Sequence, residues 1–328
     1  MVSLTRRALG AGIVAAPALA PAGTRAQSGD PWPQRPVRVV VPYAPGGGAD
    51  VIARALFGRV SELLGQNFVI ENRGGGAGII GANAVAKAPA DGYTVLHDAT
   101  ALSVNPALFE GRLPFDTVRD LRPVFLAGVL PNLLCANLAM PQRTVAEVVA
   151  LAKATPGGLD WASGGNGTVQ HLALVMLAQM TGARLNHIPY RGGAASLTAV
   201  IAGDVKFSFN NAATASAQVR SSLVRAIAHT GLGRLAAMPE LPAVADTLPG
   251  FEVYEWNAVF APAGVPDGVV RALNRALNEA IRDARVRERL AAASVQTRPN
   301  TPEELGAFFE AQMAKWGRLV REAGIRPD

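Results

Sequence analysis

Val37-Arg38-Val39-Val40-Val41-Pro42-Tyr43-Ala44-Pro45-Gly46-Gly47-Gly48-Ala49-Asp50 decides how the rest of the chain is read. Four valines in five positions form a β-branched run too apolar for a sheet edge, so 37–41 is expected to be a buried strand. Pro42 and Pro45 end the ladder, and three glycines open backbone angles closed to other residues. Val51, Ile52, Ala55, Leu56, Val60, Leu63 and Leu64 then recur at helical spacing, with Gly65 as a C-terminal stop. Asp50 sits where a side chain can cap that helix. A strand that meets a helix N-terminus through glycines is a ready anion site. The same segment also fits a glycine-rich turn with no ligand, since such turns are common in α/β folds.

Outward from this stretch, strands and helices alternate. Phe68-Val69-Ile70-Glu71-Asn72-Arg73 is a second strand, followed by a glycine turn, Gly74-Gly75-Gly76-Ala77-Gly78-Ile79-Ile80-Gly81, and a small-residue helix to about Ala88. Asp91-Gly92 turns into Tyr93-Thr94-Val95-Leu96-His97, which ends at a loop of Asp98, Ala99 and Thr100. The alternation predicts a parallel, doubly wound sheet with ligands at the C-terminal strand edges. Two short strands are expected at Val124–Ala127 and Leu133–Cys135, then a helix opened by a Thr144-Val145-Ala146-Glu147 capping box.

The opening pattern recurs at Leu159-Asp160-Trp161-Ala162, Ser163-Gly164-Gly165-Asn166-Gly167-Thr168 and an apolar helix from Val169 to Met180. Strands follow at Leu185–Ile188, Val205–Phe209 and Val224–Ala228, with Tyr190-Arg191-Gly192-Gly193 and Asn210-Asn211 at the ends of the first two. A late strand, Glu255–Phe260, precedes a helix after Pro266-Asp267, and Thr301-Pro302-Glu303-Glu304 opens the last helix. In it, Leu305, Phe308, Phe309, Met313, Trp316, Leu319 and Val320 form a packing stripe rather than a cofactor box. Two strand–glycine–helix halves imply two similar lobes.

At 328 residues, 49% hydrophobic, the chain is long enough for two domains or one large one. Formal charge is +6, but Arg6, Arg7 and Arg25 lie in an expected export leader, residues 1–26, which halves the excess. No basic cluster interleaved with aromatics suggests nucleic acid. The leader carries a twin-arginine pair and an uncharged run from Ala8 to Gly23, with cleavage expected after Thr24-Arg25-Ala26. Pro21 disfavours cutting after Ala18-Leu19-Ala20, and Pro17 and Pro21 argue against a membrane anchor. A periplasmic product follows. The uncharged runs 123–142 and 161–183 fit buried elements better than membrane spans.

Cys135, the sole cysteine, excludes an internal disulfide and a cysteine-built zinc site, and reads as an inert buried thiol. His97, His171, His187 and His229 show no ligand spacing, so no metal is expected. Ser163 lacks the GxSxG elbow, and no carboxylate pair announces glycosidase chemistry. Gly76-Ala77-Gly78-Ile79-Ile80-Gly81 is a literal GxGxxG, with Asp98 further on. Its dinucleotide reading is disfavoured by the polar Glu71-Asn72-Arg73 before the glycines and by export away from nicotinamide cofactors, so no cofactor is expected. Instead, Gly46–Asp50 and Ser163–Thr168 offer N–H and hydroxyl donors from opposite lobes. Each helix end favours negative charge by about 0.3–1 kcal/mol, and hydrogen bonds to a charged group add about 1.5–3 kcal/mol apiece. Four or five suffice for the ~8 kcal/mol of micromolar binding after ordering costs. A carboxylate is the natural guest.

The chain resembles the solute-binding proteins of tripartite tricarboxylate transporters, the Bug family. Pro36-Val37-Arg38 through Pro45-Gly46-Gly47-Gly48-Ala49-Asp50, Val69-Ile70-Glu71-Asn72-Arg73 and Ala90-Asp91-Gly92-Tyr93-Thr94 carry the likeness. So do Ala162-Ser163-Gly164 with Gly167-Thr168 and His171-Leu172-Ala173, His187-Ile188-Pro189-Tyr190-Arg191-Gly192, Ala261-Pro262-Ala263-Gly264 and Lys315-Trp316.

The resemblance implies an α/β, two-lobed periplasmic-binding-protein fold of type II-like form, with a ligand cleft between the lobes. Lobe one would comprise residues 34–130 and 255–328, and lobe two residues 131–254. It implies a monomeric non-enzyme that captures a small organic carboxylate and passes it to membrane permease subunits. The alternatives are a sensor feeding a receptor kinase and an NAD-dependent oxidoreductase using Gly76–Gly81. Carried over, the site is Tyr43, Gly47, Gly48 and Asp50 from lobe one, and Ser163, Asn166, Gly167, Thr168, Arg191 and Asn210 from lobe two. Thr100 is expected beside them and His171 as a structural partner inside its helix. The sequence departs from the family pattern at Gly74 (usually proline), at Asn210-Asn211 (usually aspartate-asparagine) and at Leu174-Val175 (often glycine-glutamate).

Overall fold

Val37–Val41 forms strand β1, and all four of its valines are fully buried. Helix α1 (Gly48–Leu64) lies against it through Ile52, Ala53, Leu56, Phe57 and Val60, and ends on Gly65 in the left-handed conformation. The structure is a computed structural model that describes Met1 and residues 32–327. The expected leader after Met1 lies outside the described residues.

Strands β2 (Phe68–Asn72) and β3 (Thr94–Ala99) flank β1 in parallel. Between them, helix α2 (Ile79–Ala86) crosses over, and helix α3 (Ala101–Leu108) follows β3 directly. The late strand β9 is longer than expected, Tyr254–Pro262, and pairs antiparallel with β3. The first sheet is therefore mixed, where an all-parallel one was expected, because the chain returns to it from the other half of the molecule.

The two short strands expected between 124 and 135 are one sixteen-residue strand, β4 (Leu121–Ala136). It runs through Pro123, at a register shift (Pro123/Phe125) against β9, past a second shift at Leu126/Gly128, and through Pro131, where its pairing with β9 ends. From Leu121 to Pro131 it pairs with β9, and from Asn132 to Ala136 with β7 (Phe207–Asn211). The second sheet is built around that far end. Strand β5 (Leu159–Ser163) pairs in parallel with β6 (Leu185–Pro189) and β7, and β8 (Arg225–His229) runs antiparallel to β4. Hydrogen bonding thus follows β2-β1-β3-β9-β4-β7-β5-β6 in one curled path, with β8 also on β4.

Helices α4 (Val145–Ala154), α5 (Val169–Thr181), α6 (Gly193–Ala202) and α7 (Ala212–Arg220) cover the second sheet. The Thr144 capping box forms, with Glu147 N–H on Thr144 Oγ1 at 3.2 Å and Thr144 N–H on Glu147 Oε2 at 3.2 Å. Helices α8 (Asp267–Ala280) and α9 (Ala284–Ala292) pack beside α1. The last helix, α10 (Pro302–Glu322), joins two cores: Leu305 and Phe309 pack with the first sheet, Trp316 and Val320 with the second. Among the described residues no helix is long and apolar enough to cross a membrane.

Candidate functional site

Five helix starts meet at one cavity. Its lining includes the N-cap residues of α1 (Gly47), α3 (Thr100), α5 (Thr168), α6 (Gly192) and α7 (Asn211). The first four make no side-chain cap, so first-turn N–H groups keep hydrogen-bonding capacity for the cavity, except that Ser103 N–H in α3 is given to the Thr100 carbonyl at 3.0 Å. Asn211 caps α7 through Oδ1, which accepts from Thr214 N–H at 2.9 Å, and its Nδ2 turns the other way. Empty space here is about 590 Å³ with the open mouth included. Dipoles of four helices raise the potential, and Arg191 adds a cation at an exposed position.

The halves approach closely. A Cβ on Gly48 would stand 2.8 Å from Asn211 Cγ and Oδ1, and closer to its Nδ2. A Cβ on Gly167, whose φ is +71°, would stand 2.6 Å from Leu108 Cδ2. Glycine is needed at both places: at Gly48 by the approach, at Gly167 by approach and backbone angle together.

Of the residues expected in the site, Tyr43, Gly47, Gly48, Thr168 and Arg191 line the cavity, as does Thr100. Asp50, Ser163, Asn166, Gly167 and Asn210 do not, and most of them are occupied elsewhere. Asp50 does not cap α1. Its carboxylate accepts from Gly46 N–H at 3.0 Å, Asn72 Nδ2 at 2.9 Å and Arg54 Nε at 2.9 Å, fixing the loop from behind. Burial alone would raise its pKa, but the Arg54, Gly46 and Asn72 hydrogen bonds together hold it below the usual carboxylate value.

Ser163 is fully buried, shares a 2.5 Å hydrogen bond with His187 Nε2 and accepts from Gly165 N–H at 3.0 Å. Asn166 stands half-buried in the turn, and Gly167 donates its N–H to His171 Nδ1 at 3.3 Å. Asn210 is tied down by Ser196 and Ser208. His171 stacks flat on His187, ring centroids 3.8 Å apart, and its burial and then His187 push its pKa down to about 3.

Sequence reading missed three polar lining side chains, Gln170, Asn211 and Glu255. Glu255 accepts from Asn211 Nδ2 at 3.2 Å to each oxygen and from Gln170 Nε2 at 3.2 Å. Burial pushes its pKa up to about 7 against those amides. The available signal was a lone acid between Tyr254 and Trp256 in an otherwise apolar strand, since charged residues are rarely buried without a reason. Asp98 stands behind the wall, accepting from Tyr43 Oη at 2.8 Å and Ala99 N–H at 2.7 Å, and burial pushes it too up to about 7.

Gly76–Gly81 does not line the cavity. Gly81 packs where a Cβ would sit 2.7 Å from Pro42 Cβ and 3.0 Å from the Arg73 carbonyl, so its glycine serves packing of α2 on β1. Among the described residues no group of three His, Cys, Asp or Glu side chains is placed to hold a metal ion. Cys135 is buried, which pushes its thiol up to about 12.

Residues 52–325 match the family described as the tripartite tricarboxylate transporter family receptor, TctC. A UPF0065 protein of Pseudomonas sp. (strain P51) is 39% identical over 98% of this chain and 96% of its own. Protein BugT of Bordetella pertussis is 34% identical over 91% of this chain and 92% of its own. Among solved structures, R. palustris Rpa4515 with adipate superimposes with a TM-score of 0.87, at 31% identity, covering 91% of this chain and 100% of that one. MatC from Rhodopseudomonas palustris with bound malate gives 0.83 at 29% identity, covering 88% and 100%.

Proposed function

Since the chain belongs to the tripartite tricarboxylate transporter receptor family, which includes the Bug proteins, we propose that it captures a small organic carboxylate in the periplasm and delivers it to the membrane permease of such a transporter. The observation that carries this reading is the convergence of four helix N-termini without side-chain caps on one cavity between the two sheets. Each N-terminus favours an anion by about 0.3–1 kcal/mol, up to ~2 when partly buried. The acids named with the two Rhodopseudomonas structures, adipate and malate, are both of the proposed class. Tyr43, Gly47, Gly48, Thr168 and Arg191 then belong to the ligand wall, with Thr100, Gln170, Asn211 and Glu255. Asp50, Ser163, Asn166, Gly167 and Asn210 act behind it, holding the wall in shape.

The lobes in this reading are residues 34–130 with 255–328, and residues 131–254. They close as a clamshell about the two crossings, β4 and the start of β9. Thermal unfolding against mono-, di- and tricarboxylates, with NAD included, tests the capture. A midpoint that rises with the concentration of one acid is expected. A shift with NAD alone, or with no acid, overturns the reading. Gly48→Val forces a side chain into Asn211, and overpacking of about 3 kcal/mol corresponds to about a 100-fold loss of affinity. Unchanged affinity, with unchanged circular dichroism, removes the cavity as the site. Added to vesicles carrying the permease subunits, the protein should accelerate uptake. Without acceleration, capture stands and delivery falls in favour of a sensor.

A further inference from the structure

Glu255 is the only acidic side chain among the residues lining the cavity, and Arg191 the only cation. In a wall otherwise built for anions, a buried carboxylate works against a bare carboxylate guest. The residue is 5% exposed, and its oxygens meet neutral amides: Asn211 Nδ2 at 3.2 Å to both, Gln170 Nε2 at 3.2 Å, and the Asn257 amide alongside. No ion pair to it is present among the described residues. A carboxylate offers about four acceptor positions. Three amides, one of them shared between both oxygens, leave capacity over, and the side chain borders the cavity. The amides also fix its position. Asn211 abuts Gly48 on one side, and Gln170 lies near Gly164 and Gly193 on the other, so Glu255 is held among the α1, α5 and α6 starts rather than at the rim.

We propose that Glu255 selects at this site for a carboxylate whose carbon chain also carries a hydrogen-bond donor, an ammonium first and a hydroxyl second, over the donor-free acid. This rests on the carboxylate reading and sharpens it. The N-termini of α1, α3, α5 and α6 take the ligand's carboxylate, and Glu255 accepts from the neighbouring donor. A donor-free acid leaves the Glu255 charge buried and unmatched, which is the costlier arrangement. An ammonium both pairs the charge and donates, whereas a hydroxyl only donates, hence the order. The remaining titratable groups at this wall are Tyr43 in the β1–α1 loop, Asp98 on β3 behind it and Arg191 in the β6–α6 loop.

Matched triplets test this directly: succinate, malate and aspartate; glutarate, 2-hydroxyglutarate and glutamate; propionate, lactate and alanine. Within each triplet only the substituent beside one carboxylate changes. Calorimetric titration at pH 8, above the value of about 7 for Glu255, keeps its carboxylate ionised. In the triplet that binds, the amino acid is expected tightest and the donor-free acid weakest, by about 10–100-fold between ends, the range of a hydrogen bond to a charged group. In Glu255→Gln that preference should collapse to about threefold or less. A donor-free acid that binds as tightly as its partners overturns the proposal, and so does a preference that survives in Glu255→Gln. Both results leave carboxylate capture intact. Should the variant not fold, the ratios in the parent protein decide alone. If no acid of any triplet binds, this proposal fails, and the carboxylate reading is decided by the wider panel of acids.

Discussion

The β1–α1 loop and the β5–α5 loop face the same cavity with the same device, a strand that runs through glycines into an uncapped helix start. They differ in what stands behind them. Asp50 pins the first with a carboxylate shared by Gly46 N–H, Asn72 and Arg54, while Asn72 also holds the Tyr43 carbonyl at 3.1 Å. Neutral groups pin the second: Ser163 between His187 and Gly165, Thr168 Oγ1 on the Gly165 carbonyl at 2.7 Å, and His171 under Gly167. The lesson is that one backbone solution accepts opposite electrostatic supports. One needs a charged acid, the other an uncharged imidazole, so acid reaches the two loops at different pH.

The strongest way to break this comparison is Asp50→Ala. It leaves the Gly46 N–H and the Asn72 amide without their acceptor, and about 3 kcal/mol of stability should be lost in urea unfolding. Affinity should fall with it, about 100-fold if the loop loses its shape. Full affinity in this variant means that the loop is not held by charge. Because the pKa of Asp50 is lowered in the fold, its contribution is present above the ordinary carboxylate value and lost only as pH falls below about 4. The deficit of Asp50→Ala should thus be the same at pH 7.5 and pH 5.

His171→Leu is the next largest and carries the opposite sign with acid. At pH 7.5 it orphans the Gly167 N–H, at a cost of about 1–2 kcal/mol. The folded value of about 3 lies below the ordinary 6.5, so stability from the neutral ring is complete above 6.5 and declines as pH falls toward 3. By pH 5 the parent has lost about 2 kcal/mol that leucine, which does not titrate, keeps. Urea midpoints of parent and variant should therefore converge or cross at pH 5. A constant gap across that range contradicts a neutral support for this loop.

Thr168→Val is the smallest change. It removes one hydroxyl from the Gly165 carbonyl, which still receives Thr168 N–H at 3.3 Å and Ser163 Oγ at 3.3 Å. A loss near 1 kcal/mol or below is expected, with affinity down a few-fold by calorimetry. A loss as large as that of His171→Leu shifts the weight of this loop from the imidazoles to the hydroxyl.

The features readable in the sequence were those with local causes. The four valines of β1, the Gly65 stop and the capping boxes at Thr144 and Thr301 lie where short-range sterics and hydrogen bonding put them. Strand β4 was read as two pieces because Pro123 and Pro131 mimic breaks. Its ladder instead shifts register next to Pro123, an irregularity at which proline is tolerated. Helices α3, α6 and α7 escaped because small residues and Pro106 blur an apolar stripe. Of the cavity lining, Gly47, Gly48 and Thr168 were legible from their motif, while the placement of Asp50, Ser163, Gly167 and Asn210 behind it was not. Whether a polar side chain faces a ligand or its own loop depends on partners such as Asn72, His187 and Ser196, each on another element. Glu255 and Gln170 meet only in the folded molecule, 85 residues apart.

Strand β4 and helix α10 have a consequence for how the chain must be made. Side chains alternate across a strand, so a one-residue slip of β4 would invert its inward face in both sheets together. The last helix then supplies Leu305 and Phe309 to one core and Trp316 and Val320 to the other. Neither core is complete until the final twenty-odd residues have been synthesised, although domains ordinarily fold in order as they emerge. A nascent chain lacking α10 has two unfinished cores and no half that can mature first, and the finished protein should melt in a single step.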